Sequence, residues 1–360
     1  MEERLLEVLS NYDIDGEITD VKSFGNGHIN RTYYVDAAKP YLMQKINNVV
    51  FPDPDKLMDN FVAVTEYLKK IIAAEGGDPM TGTLTVIKTK DGKNYTITES
   101  GEYYRLLYFV NGVSIEMTET DEQLFSVAAA FGKFQNDLAD YDASTLYEVI
   151  PKFHDTLKRF ADLEQAIAEN KAGRLSEVTA EIEYARSMKD RIGVIVNGIK
   201  DGSVPLRVTH NDTKLNNVLF DEKLEKCICV IDLDTVMPGS YLYDYGDALR
   251  FAGSSAAEDE KDLSKIYFDM KKFEAFTAGY LSKVKTVLTP KEKELLPFSA
   301  ELMTYECGIR FLADYLNGDT YFKIGYPEHN LVRARSQFKL AQDIDSKLGE
   351  MAKIVEKYSK

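Results

Sequence analysis

Apolar and polar positions follow two different periods along this chain. In the first hundred residues the period is mostly two. Val21–Phe24, Thr32–Val35 and Tyr41–Ile46 are rich in β-branched and aromatic residues, are separated by Gly, Asp, Lys or Pro, and predict strands. One segment breaks the alternation. Leu57, Phe61, Val64, Leu68 and Ile72 recur at helical spacing and predict a helix starting near Asp55. Strands return at Thr83–Ile87, Tyr95–Thr98 and Tyr103–Phe109, and Asn111-Gly112 reads as a turn that closes this part of the chain.

Beyond the turn the period changes to that of a helix. Asp121–Leu138, Leu157–Glu169, Leu175–Ile199, Lys261–Val284, Glu292–Leu316 and Leu331–Tyr358 all carry it. One β-island interrupts them: Val218–Phe220 and Cys227–Ile231, joined by the polar DEKLEK, predict a hairpin. The chain therefore reads as an α+β protein of two lobes, strand-rich over 1–111 and larger and helical over 112–360.

Composition narrows the function without naming it. At 360 residues, with 44% hydrophobic and 29% charged positions, the chain is an ordinary globular sequence too long for one core. A net charge of −15 opposes broad nucleic-acid binding but allows a small site for one nucleotide. Cys227, Cys229 and Cys307 make no secreted disulfide framework, and Cys227 and Cys229 alternate with Ile228 and Val230 as buried strand thiols do. The N-terminus is acidic and amphipathic, unlike a signal peptide, and no run approaches the ~20 apolar residues of a membrane helix. These features predict a cytoplasmic protein that binds neither nucleic acid nor membrane and is a monomer or weak dimer.

The chemistry gathers at the hairpin. Its first strand follows THNDTKLNN, and its second runs into IDLD. In an antiparallel hairpin the residue entering strand one lies beside the residue leaving strand two, so Asn217 and Asp232 should be neighbours. The spacing His210-Asn211-Asp212, four residues, Asn217, then a downstream Asp232 matches the arrangement used for phosphoryl transfer. Mg²⁺ takes carboxylate and amide oxygens and keeps phosphates and waters as its other ligands, which suits Asn217 and Asp232. Asp212 can accept a proton from an acceptor hydroxyl, and Lys214 can offset γ-phosphate charge. His210 is placed to hold the loop. Turn stabilisation explains any one of these residues, but not their joint spacing.

Other segments admit two readings. FGNGHIN carries Gly25 and Gly27 between two strands, with Asn26, His28 and Asn30 beside them; it is either a nucleotide loop or a plain hairpin turn. In YLMQKIN the phosphate-facing residue of the third strand is either Gln44 or Lys45, which point to opposite faces. Asp244 and Asp247 cap a helix or pair with Arg250. Glu306 and Arg310 form an i,i+4 pair, or Arg310 and Tyr321 line an acceptor pocket. His154 and His329 read as structural.

HNDTKLNN with IDLD resembles the catalytic and metal loops of the aminoglycoside phosphotransferase and choline kinase family, a branch of the protein-kinase-like fold. Longer segments, among them LMQKINNVVFPDP, AAFGKFQNDLADYDAS, LRVTHNDTKLNNVLFD and ECGIRFLADYLNGDTYF, are similar to its sugar 1-kinase members from about Lys22 to Ala341. The resemblance implies a bilobal kinase fold and Mg²⁺-dependent transfer of the ATP γ-phosphate to the anomeric hydroxyl of an N-acetylhexosamine. Carried over, Asp212 is the base; Asn217 and Asp232 bind metal, with Asp234 as a second acidic group. Gly25–His28 form the nucleotide loop, the stretch from Tyr104 through Tyr108 to Val110 holds the adenine, and Glu306, Arg310 and Tyr321 fall in the acceptor region. Two departures stand out: HND replaces the family's HGD, and Lys214 replaces a His. The rival readings are another small-molecule kinase of the same fold (aminoglycoside, choline or homoserine type) and a catalytically inert nucleotide-binding relative.

Overall fold

The computed structural model describes residues 3–25 and 29–360. In chain order the elements are α1 (Glu3–Leu9), β1 (Asp20–Ser23), β2 (Arg31–Asp36), β3 (Tyr41–Ile46), α2 (Pro54–Ala74), β4 (Val86–Ile87), β5 (Thr96–Ile97), β6 (Tyr103–Tyr108) and β7 (Val113–Ser114). There follow α3 (Asp121–Asp137), α4 (Thr156–Glu169), α5 (Thr179–Ser187), α6 (Val194–Asp201), β8 (Arg207–Thr209), β9 (Val218–Phe220), β10 (Cys227–Val230) and β11 (Met237–Gly239). Last come α7 (Tyr241–Ala252), α8 (Met270–Val284), α9 (Pro290–Asn317), α10 (His329–Asp345) and α11 (Leu348–Ser359).

Contacts divide the chain into two compact units. The first comprises residues 1–114, 144–151 and 217–237; the second comprises 115–143, 152–216 and 238–360. The first unit's opening stretch runs to Ser114, and Val113 and Ser114 form a short strand paired with Phe220 and Leu219. That pairing also draws the 218–230 hairpin into the strand-rich unit.

The first unit is built on an antiparallel sheet of order β1-β2-β3-β6-β4, with β5 also on β6. Its central strands β3 and β6 pair in register, Gln44 opposite Arg105 and Lys45 opposite Tyr104. One face packs Val35, Met43 and Leu106 against Leu5, Val8 and Leu9 of α1, all essentially excluded from water. The predicted helix is α2, capped by Asp53, whose side chain accepts the Lys56 amide. It buries Leu57, Phe61, Val64 and Leu68, as the spacing requires.

The second unit is helical. At its centre α9 starts on a capping box formed by Thr289 and Glu292 and is almost wholly buried through its last six turns. Two predicted helices are broken. Leu175–Ile199 becomes α5 and α6 with residues 188–193 between them, and Leu331–Tyr358 divides at Ser346-Lys347. The 261–284 helix begins only at Met270, where Asp269 accepts the Lys271 and Lys272 amides, because Phe268 is buried in the preceding turn. Among the described residues no helix is long and apolar enough to cross a membrane.

Candidate active site

The loop THNDTK belongs to the second unit and is held by a carboxylate that lies 34 positions beyond it. Asp244, on the buried side of α7, accepts the backbone N–H of His210 at 2.9 Å and that of Asn211 at 2.7 Å. Gln135 of α3 donates to the same carboxylate at 2.9 Å, and Thr213 donates its hydroxyl to the Asp244 carbonyl at 2.6 Å. Ser240, not Asp244, caps α7, and Asp247 pairs with Arg250 at 3.0 Å. Burial pushes the Asp244 carboxyl above the usual aspartate range, against the lowering effect of His210 and the amide donors.

Asn211 has φ +64°, the left-handed region that Asn tolerates and glycine prefers. This accounts for Asn at a position where the family often has Gly. The strained residue turns the chain so that Asp212, about a fifth exposed, follows two buried residues. His210 is fully buried, with its ring edge-on to Phe131 and Phe134, and its Nδ1 accepts the Asp212 amide at 3.2 Å. It shapes the loop, as its place in the sequence suggested. Lys214 reaches back to Asp212 at 2.9 Å. Burial lowers the pKa of its ammonium, but Asp212 and Asp247 outweigh that and hold it above the usual lysine value.

A second support comes from His154. Its Nδ1 lies 2.8 Å from Glu306 and its Nε2 3.4 Å from the Asn211 carbonyl. Thr156 donates to the other Glu306 oxygen. Glu306 is therefore paired with His154, and the i,i+4 ion pair with Arg310 is not formed. Arg310 instead lies over the rings of Phe153 and Phe322, 5.5 Å from each centroid, and has no carboxylate partner. It lines a cleft of about 290 Å³ together with Arg159, Tyr321 and Phe322. Burial, and then Arg310, pull the Arg159 pKa below the usual arginine value. The acidic groups of the cleft are engaged elsewhere: Asp162 with Lys158, Glu169 with Lys171, and Asp314 with the amides of Thr320, Tyr321 and Phe322.

The other predicted donors belong to the first unit. The hairpin forms with Val218 opposite Val230, and Ile231 donates its N–H to the Asn217 carbonyl at 2.9 Å. Asn217 is thus buried at the entry of β9, one residue out of register from exposed Asp232. Asp232 is itself left-handed, at φ +59°. The two offer an amide oxygen and a carboxylate, the hard donors that fit Mg²⁺ with phosphates and waters completing its shell. Asp234 is 3% exposed. One oxygen lies 2.5 Å from Arg105 Nη1, and the other accepts from Asn30 Nδ2 at 2.5 Å.

On the third strand the two options separate. Lys45 turns to Glu102 at 2.7 Å, on the face away from Arg105 and Asp234. Gln44 faces Arg105, so the third-strand side chain on the Asp234 side is a carboxamide. Gly25 takes φ +71°, the left-handed backbone that glycine permits. Asn26, Gly27 and His28 lie outside the described residues. Tyr108 ends β6 and packs edge-on against Tyr41, and Val110 is buried. Sequence reasoning missed Arg105 and the reach of Asp244. A lone Arg within the apolar strand YYRLLY was the signal for the first.

The sequence matches the phosphotransferase enzyme family over residues 20–276, and the chain belongs to it. Solved structures agree on the fold. A microcompartment-associated aminopropanol kinase is 17% identical with a TM-score of 0.62, over 96% of this chain and 98% of that one. A choline kinase from Cryptosporidium parvum is 14% identical with a TM-score of 0.57, over 97% of each. An amicoumacin kinase, solved with AMP-PNP and Ca²⁺, is 13% identical with a TM-score of 0.57, over 99% and 94%. The fold is protein-kinase-like, with a sheet-rich first unit and a helical second one.

Proposed function

We propose that this chain is an N-acetylhexosamine 1-kinase, which uses Mg²⁺ and ATP to phosphorylate the anomeric hydroxyl of N-acetylglucosamine or N-acetylgalactosamine. Asp212 accepts the hydroxyl proton as the anomeric oxygen attacks, and Lys214 steadies that carboxylate and the charge that develops beside it. Asn217 and Asp232 would hold the metal, while Asp234, its oxygens turned to Arg105 and Asn30, braces the loop rather than binding it; bound there, Mg²⁺ would neutralise phosphate charge. The Gly25–His28 loop and the Tyr108–Val110 connector serve the nucleotide.

The observation that carries the choice of acceptor is Arg310. A cation lying over two aromatic rings, with Arg159 beside it, can donate to sugar hydroxyls and an acetamido oxygen, which favours such an acceptor over a cationic amine. The cleft adjoins the catalytic loop through Phe153 and His154, the latter on the Asn211 carbonyl. The long sugar 1-kinase-like segments support the same reading. Phosphorus NMR of the product from N-acetylglucosamine and ATP tests it: the expected signal is the 1-phosphate, and a 6-phosphate overturns the regiochemistry. An ADP-release assay across choline, homoserine, an aminoglycoside and both amino sugars should respond to the sugars. Arg310→Met should raise the sugar KM about tenfold and leave the affinity for ADP unchanged.

A further inference from the structure

A protein-kinase site sets a cation against the nucleotide phosphates from its third strand. Here that strand presents Gln44, while Lys45 is turned to Glu102. Directly across the sheet from Gln44 stands Arg105, which is 1% exposed. Its Nε and Nη2 both donate to Gln44 Oε1, at 2.9 and 2.7 Å, and its guanidinium lies 4.5 Å above the Phe61 ring of α2. Gln44 is itself oriented, because its Nε2 donates to Thr32 Oγ1 at 3.3 Å and so turns its oxygen to the arginine. A lysine at 44 would set ammonium against guanidinium. Position 44 and position 105 can therefore share one cation, not two.

We infer that Arg105 carries the charge the third strand lacks, as a positioning residue that acts through Asp234. Its remaining nitrogen, Nη1, lies 2.5 Å from Asp234 Oδ1. The other Asp234 oxygen takes Asn30 Nδ2, and Asn30 Oδ1 takes the Asn47 amide at 2.9 Å. One carboxylate thus pins three pieces of chain: Asn30 before β2, through it the end of β3, and its own 231–236 loop. Asn60 of α2 clamps the far end of that loop by donating to the Val236 carbonyl at 2.9 Å. With Asp234 fixed, Asp232 two residues earlier is held in its left-handed turn at the mouth of the hairpin. The guanidinium fork suits this duty better than an ammonium, since it grips the carboxamide and the carboxylate at once.

The inference rests on the kinase reading of the site. Its test uses the full-length protein and two measurements: calorimetric affinity for ADP over a Mg²⁺ series, and the kcat and Mg²⁺ half-saturation of ATP turnover with N-acetylglucosamine. Arg105→Gln should lower kcat about a hundredfold and raise the Mg²⁺ half-saturation about tenfold, as a displaced metal loop would. Moving the cation one strand over, in the double variant Gln44→Lys with Arg105→Gln, should recover at least about tenfold in kcat and bring the half-saturation most of the way back. Arg105→Lys, which keeps the buried charge and the fold, should fall between wild type and Arg105→Gln. A double variant no better than Arg105→Gln, or an Arg105→Gln or Arg105→Lys protein with wild-type Mg²⁺ dependence, overturns the inference. Failure of the kinase reading shows separately, in a wild-type protein that does not turn over ATP, and the Mg²⁺-dependent ADP affinities still decide the part played by Arg105.

Discussion

Asp244 offers the sharpest test of how the catalytic loop is built. Its carboxylate is 2% exposed and receives three donors: the amides of His210 and Asn211 and the carboxamide of Gln135. Asp244→Ala leaves all three without that acceptor. At about 1–3 kcal/mol for each orphaned buried donor, the loss is roughly 3–9 kcal/mol, enough to unfold a protein of ordinary stability. Asp244→Asn is the more informative change. It keeps the shape and one acceptor oxygen, but sets an NH₂ against one of the donors. A cost of about 3 kcal/mol follows, or a Tm lower by about 4 °C for a chain of this size. The same change loosens Asn211, whose left-handed turn at φ +64° aims Asp212. A shift of about 1 Å in a reacting group costs on the order of a hundredfold in rate. Thermal unfolding and steady-state ADP release at pH 7 should therefore show Asp244→Asn folded, less stable and about a hundredfold slower, with ADP affinity near wild type. Wild-type kcat in a protein whose Tm has fallen by that amount would refute the link between the carboxylate and the loop.

Asp212→Asn should retain ADP and sugar binding while kcat drops by about 10³, since only proton acceptance is lost; near-normal turnover would remove Asp212 from the base role. The Glu306 pair makes a prediction about pH. Burial raises the Glu306 pKa, but the hydrogen bonds and charge of His154, with Thr156 and Arg310, outweigh it and hold the carboxyl below its ordinary 4.5. A depressed acid stabilises the fold fully above the unfolded value and loses that contribution as pH falls through the folded one. The stability difference between wild type and Glu306→Gln, read from urea unfolding, should thus shrink as pH falls below about 4.5. A difference that keeps growing below that pH would contradict the pairing.

What the sequence discloses and what it hides divide along a physical line. The helix α2 is legible because its apolar residues recur along one stripe, and the 218–230 hairpin because a polar linker separates two short apolar runs. Hairpin geometry predicts Asn217 opposite Asp232, but the register sets Asn217 opposite Ile231, one residue off. Local rules fail where the partner is remote. Arg105 meets Gln44 only through the β3–β6 register, and Asp234 only through the fold of the 231–236 loop, so neither contact leaves a trace in spacing. Asp244 was legible as structural, yet its target lies 34 positions upstream. Breaks inside long helical patterns, as at 188–193 and 346–347, leave the apolar period nearly intact and escape a periodicity reading.

The two loops to which we assign the chemistry share one construction. Each contains a residue in left-handed backbone, Asn211 in one and Asp232 in the other. Each is anchored by a carboxylate almost excluded from water, Asp244 for the first and Asp234 for the second. In each, the anchor is held from other elements: Asp244 takes hydrogen bonds from α3 and the loop itself, and Asp234 takes a hydrogen bond from Asn30 and an ion pair from Arg105 of β6. The acid that meets solvent, Asp212 or Asp232, stands next to that rigid frame. A buried carboxylate is costly unless its donors are fully arranged, so it tolerates little displacement of the groups bonded to it. That intolerance is what a phosphoryl-transfer site requires, because its rate depends on where a few oxygens are held. The same reasoning explains why Arg105 is buried although it serves charge: a cation exposed to water would fix Asp234 far more weakly than one stacked on Phe61 and forked between two oxygens.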